Sequence, residues 1–172
     1  AIACYVASEN GVSSWLVRFL DAAPVEVATV ALSLFWAALS IGRVVASRFA
    51  HRFAPIAVAT ACGLAAGAAI VAAVVVPWVG ASIALFAVAG LACGPIYPMI
   101  MASAGALYPA RANAVSGILT AAAVAGSVVY PPVMGFISNG AGLGVGMAGA
   151  GLLAFACAGA LVVVHLLARR PA

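Results

Sequence analysis

The chain has 172 residues, of which 67% are hydrophobic and 6% charged, with a mean hydropathy of +1.28 and a formal net charge of +4. A soluble domain of this length carries about a quarter charged residues, so the composition excludes one, and with it the polar surface that would bind nucleic acid. The apolar runs are helix-length and lack dyad alternation, which excludes a membrane barrel and leaves an all-α polytopic membrane protein.

Six transmembrane helices are predicted, at about 1–19, 27–47, 55–76, 81–106, 113–137 and 143–167. The first contains Glu9, the acid hardest to place in water. It lies ~15 Å from the helix end near Phe19, half of a ~30 Å hydrocarbon core. A carboxylate at that depth is costly and faces a protein interior or a wet cavity. Tyr5, Ser8 and Glu9 share one face at i, i+3, i+4, while Asn10 points about 100° away. The chain opens at Ala1 without Met or a basic leader, so no signal peptide is expected, and any missing material is expected on the N-terminal side.

Asp21-Ala22-Ala23-Pro24 ends the first span. The second carries Thr29, Ser33, Trp36, Ser40, Arg43 and Ser47 at steps of three or four, a continuous polar stripe. Such a stripe lines a cavity, or its hydroxyls bond their own helix or a neighbour. Arg43 and Arg48 are placed toward the end of this span, where Arg43 either snorkels or locks a gate. After Arg48-Phe49-Ala50-His51-Arg52-Phe53-Ala54-Pro55 comes a plain third span, with Thr60 as its polar exception.

Pro77-Trp78-Val79-Gly80 turns the chain into a fourth span, broken at Gly94-Pro95-Ile96-Tyr97-Pro98. Pro95 and Pro98 each lack an N–H and release the carbonyl four residues back, so the segment must face protein or water, with Tyr97 available to a cavity. Tyr108-Pro109-Ala110-Arg111 precedes the fifth span, whose Asn113, Ser116, Thr120, Ser127 and Tyr130 form a second stripe. Ser138-Asn139-Gly140 is expected to precede a plain sixth span, and the Arg169-Arg170 end reads as a natural terminus. Gly63/Gly67 and Gly90/Gly94 are spaced for close helix packing. Cys4, Cys62, Cys93 and Cys157 lie at no metal-like spacing and read as small apolar packing residues. Neither a metal site nor a cofactor is indicated.

Arg43, Arg48, His51, Arg52, Arg111, Arg169 and Arg170 fall on one side, and Arg18 with Asp21 and Glu26 on the other. The positive-inside rule makes the basic side, with both termini, cytoplasmic, and the location the cytoplasmic membrane. The chain reads as one membrane domain, 1–172. Repeat one is 1–76 and repeat two 81–167, each a helix with a special centre, a striped helix and a plain helix. Three spans per repeat invert the second relative to the first, as in secondary transporters.

Several segments resemble the C-terminal six-helix half of a major facilitator superfamily transporter, and within it the fucose permease-like sugar:proton symporters. They are Tyr5 to Gly11 with Ser14-Trp15-Leu16, Gly42 to Arg48 with Arg52-Phe53, Gly94 to Pro98, Tyr108 to Arg111, Ser116-Gly117, Gly126 and Pro131 to Gly135. The resemblance implies twelve helices rocking about a central site, with a partner for this chain in a missing N-terminal half or a second copy of itself. The function it implies is secondary transport of a small polar solute, a sugar among the candidates, coupled to protons and exerted within a lipid bilayer. Glu9, Tyr5, Ser8, Trp36, Tyr97, Asn113 and Thr120 are the candidate solute- and proton-binding residues, and Arg43, Arg48, Pro95 and Pro98 the candidate gating residues. Two rivals are a non-transporting assembly subunit and a rhomboid-like protease using Ser116 and His165, for which the first Gly of the serine motif is absent.

Overall fold

A computed structural model of the chain describes residues 1–49 and 52–168. They form seven α-helices: α1 Ile2–Phe19, α2 Val25–Phe49, α3 Pro55–Val75, α4 Val79–Cys93, α5 Ile96–Leu107, α6 Ala112–Ala141 and α7 Leu143–Ala168, with a 3-10 turn at Pro109–Arg111 before α6. Among the described residues five helices are long and apolar enough to cross a membrane: Val25–Arg48, Pro55–Val75, Val79–Leu107, Pro109–Ala141 and Leu143–Leu167. The third of these joins α4 and α5. The predicted first span, α1, is not among the five, because Ser8, Glu9, Asn10, Ser13, Ser14 and Arg18 dilute its apolarity. His51, Arg169 and Arg170 of the predicted basic side lie outside the described residues.

α1 is the middle of the bundle. It packs along α6 and α7 and touches α2, α4 and α5. Its crossing with α6 is a backbone approach, since a Cβ on Gly126 would run into the Ala3 carbonyl and one on Gly11 would lie 2.6 Å from the Tyr130 ring. Trp15 Nε1 donates to the Pro131 carbonyl at 3.1 Å, which pins the C-terminal half of α1 to the proline pair inside α6. α3 and α7 meet through small residues, Gly63 and Gly67 against Ala158, Gly151 and the edge of Phe155. This is how apolar helices gain dispersion contact where no hydrophobic drive separates them from lipid. Phe19 and Phe86 stack edge-on, centroids 5.7 Å apart, and tie α1 to α4.

The proline signals have structural partners. The α4–α5 break falls at Gly94-Pro95, as the sequence predicts, and the Leu91 carbonyl, which Pro95 cannot bond, abuts Gly42 of α2. Pro77 likewise leaves the Ala73 carbonyl without its usual donor, and buried Ser82 Oγ donates to it at 2.8 Å. Replacing Ser82 by Ala is therefore expected to cost about 1–3 kcal/mol, read as a lower thermal unfolding midpoint of the purified chain in detergent. One predicted turn is displaced. Ser138-Asn139-Gly140 continues α6, and the chain reverses at Gly142, whose φ of 89° and ψ of 154° suit glycine alone.

Candidate functional site

The polar residues of α1 converge with those of three other helices on one open pocket of about 300 Å³. Its polar lining is Tyr5, Glu9 and Asn10 from α1, Arg43 from α2, Tyr97 from α5, and Thr120 and Ser127 from α6, with Val6, Ala123 and Val124 between them. These are the four helices whose sequences carry polar stripes or breaks. The volume is at the small end of ligand sites and suits a molecule of few heavy atoms.

Tyr5 and Glu9 are one helical turn apart, so their side chains stack on one face. The Tyr5 hydroxyl donates to Glu9 Oε2, and both residues are buried. Arg43 approaches from α2, with Nη2 3.9 Å from Glu9 Oε1. That separation is an ion pair beyond hydrogen-bonding range. The two charges differ in access: the Arg43 side chain is 49% exposed and that of Glu9 8%. Glu9 is thus held by a neutral donor and a looser cation, while the guanidinium opens into the pocket.

The opposite wall is neutral. The Tyr97 hydroxyl lies 3.4 Å from Thr120 Oγ1, joining the first turn after the α4–α5 break to the N-terminal third of α6. Pro95, buried, and Pro98, half-buried, flank Tyr97 and fix the new helix direction that brings it there. Asn10 Nδ2 donates to the Val6 carbonyl at 3.1 Å, and Ser127 Oγ to the Val124 carbonyl at 2.8 Å. Each leaves an amide or hydroxyl oxygen as an acceptor.

The structure gathers Glu9, Tyr5, Tyr97, Thr120 and Arg43 and leaves the other candidates elsewhere. Arg43, expected to act near the cytoplasmic end of its span, reaches inward to Glu9. Ser8 is fully buried behind the pocket, its Oγ without a hydrogen-bond partner. Trp36 is exposed on α2 and meets Phe35 edge-on. Asn113 lines a separate cleft with Pro109 and Arg111, and Arg48 is exposed in the last turn of α2. The α2 stripe is not one cavity wall. Thr29, Ser33, Ser40 and Ser47 are exposed, and each hydroxyl bonds a carbonyl of its own helix. Tyr130 of the α6 stripe turns away and donates to the Gly146 carbonyl at 2.8 Å. Two polar lining residues escaped the sequence reading of the site. Asn10 is only about 100° from Glu9, an angle that a wide pocket spans. Ser127 stands seven residues, two turns, beyond Thr120.

Ser116 and His165 are not brought into a shared pocket. His165 lines a groove between α3 and α7 with Thr60 and Val162. A cavity of about 400 Å³ between α2, α3 and the helix break is lined by apolar side chains, Phe53, Cys62, Pro95 and Met99 among them, and offers a polar solute no donor. All four cysteines are free, and Cys93 and Cys157 are buried.

The family model described as Major Facilitator Superfamily matches residues 1–172. No curated relative and no solved structure matches the chain.

Proposed function

The chain belongs to the major facilitator superfamily, a family of membrane transporters, and from that premise we propose that the Glu9–Arg43 pocket is the solute site of a proton-coupled secondary carrier working by alternating access. The observation that carries the reading is the convergence of one carboxylate, one guanidinium and five polar uncharged side chains where α1, α2, α5 and α6 meet. Ionisable groups deep in a membrane protein are expensive and are retained for a task. Here Glu9 takes and releases the proton, and Tyr97, Thr120, Asn10 and Ser127 bond a small polar solute.

In this reading α1 is the sixth membrane span, and the chain is two inverted three-helix repeats, 1–76 and 81–167. Both termini face the cytoplasm across the cytoplasmic membrane. A further six-helix unit, either an N-terminal half or a second copy, covers the open side of the pocket. Only Ala123 and Met134 of the 30 residues of α6 are buried, and most of the α2 stripe is exposed, which supports such a cover. The sugar assignment rests on the likeness to the fucose permease-like branch.

Adding L-fucose or D-galactose to proteoliposomes that hold the chain and a trapped pH dye is expected to acidify the lumen. Solute accumulation without acidification overturns the coupling. Neither accumulation nor acidification, with correctly inserted protein, overturns the sugar assignment.

A further inference from the structure

The charges in the pocket are arranged for a more specific solute than a neutral sugar. Glu9 has its hydrogen bond from Tyr5, and Arg43 contributes only a 3.9 Å ion pair. The guanidinium also lies near the Tyr5 hydroxyl, and the side chain, half exposed, lines the pocket. Arginine presents donors in a planar fork that matches a carboxylate with two parallel bonds, a match the Glu9 geometry leaves unmade. The rest of the wall, Tyr97, Thr120, Asn10 and Ser127, offers hydroxyls and one amide, suited to alcohol groups on the same molecule.

We propose that the pocket binds a small polyhydroxylated carboxylate, whose carboxylate takes the Arg43 fork in place of Glu9 as Glu9 takes up a proton. This rests on the reading of the pocket as a solute site and names its substrate class. With Glu9 ionised the pair is neutral, and an incoming anion would meet the buried carboxylate. With Glu9 protonated the site carries one uncompensated guanidinium, and the anion completes it. The exchange balances: one proton binds a Glu9 carboxylate oxygen, one carboxylate binds Arg43, and the loaded site has the net charge of the empty one. Binding linkage makes the effect mutual, so protons tighten anion binding and the anion tightens proton binding.

The titratable groups facing Glu9 are few. Tyr5 is on its own helix, Arg43 on α2 and Cys93 at the end of α4, and Tyr97 of α5 shares the pocket. α6 turns only Thr120 and Ser127 toward it, and α7, behind α1, brings Cys157 near Cys4 rather than Glu9. The exchange therefore takes place between Glu9 and Arg43.

Calorimetric titration of the full chain in detergent with D-galacturonate and with D-galactose tests this. These probes differ by a carboxylate on one sugar frame. Galacturonate is expected to bind at least about tenfold tighter. Its binding enthalpy should vary between phosphate and Tris buffers as proton uptake requires. Arg43→Gln is expected to weaken galacturonate by about tenfold or more and so to narrow or abolish its advantage over galactose, with Arg43→Lys intermediate. If Arg43→Gln fails to fold, the wild-type preference and the buffer dependence still decide. Galactose binding as tightly as galacturonate, or Arg43→Gln without effect on the acid, overturns the proposal and leaves the solute site standing. Acid binding without proton uptake overturns the exchange with Glu9. Failure of both probes to bind overturns the solute site itself.

Discussion

Glu9→Gln, reconstituted in liposomes, is expected to lower solute-driven acidification of the lumen by at least about tenfold while exchange of labelled for unlabelled solute continues. The substitution keeps the side chain's length and an oxygen that accepts from Tyr5, so the buried hydroxyl stays bonded. What it removes is the site that gains and loses a proton. It also removes the counter-charge of Arg43, but that side chain is half exposed, so water offsets much of the loss. Stability should therefore change by about 1 kcal/mol or less, and the unfolding midpoint in detergent should barely move. Glu9→Leu is the contrasting variant. It deprives the Tyr5 hydroxyl, in a residue 2% exposed, of its acceptor and should cost about 1–3 kcal/mol. Acidification by Glu9→Gln at the wild-type rate would remove Glu9 from the proton pathway.

Much of this arrangement is legible in the chain because membrane helices are punctuated by residues with few uses. Proline and glycine end or break spans at Pro24, Pro55, Pro77 and Gly94-Pro95, and the helices begin and end within a few residues of the predicted limits. Glu9 declares itself by cost, and Tyr5 by lying one turn away. What periodicity cannot give is the depth at which two helices cross. The stripe on α2 is continuous in sequence, yet of its residues only Arg43 lines the pocket, while the neighbouring positions Phe35, Leu39 and Gly42 pack on α4. Thr29, Ser33, Ser40 and Ser47 satisfy their hydroxyls within the helix, so polarity alone does not distinguish a wall of the pocket from an exposed flank. The same limit applies to Trp36 and Asn113, which lie on the striped helices at levels the pocket does not reach. The turn at Gly142 was hidden for a different reason. Ser138-Asn139-Gly140 has the composition of a loop, but α6 continues through it to the one glycine with positive φ.

The glycines read from sequence as packing positions turn out to set the geometry of the site, and Gly94→Val should show it. A Cβ at Gly94 would run into the Leu39 carbonyl and come within 2.7 Å of the Arg43 amide nitrogen and 2.9 Å of the Gly42 carbonyl carbon. All three obstacles are backbone, which cannot rotate aside as a side chain can. The helices must separate, and the segment of α2 that moves is the one that holds Arg43 against Glu9. The expected cost is about 3 kcal/mol or more, roughly 10 °C in the unfolding midpoint, with loss of solute binding even where the protein is still inserted. Gly105→Ala is the matched control, since a Cβ there meets nothing within 4 Å, and its helix should hold or gain slightly. Binding lost in Gly94→Val at temperatures where the protein remains folded would tie solute affinity to the α2–α4 spacing. Wild-type affinity and midpoint in that variant would mean that the backbone contact does not position Arg43.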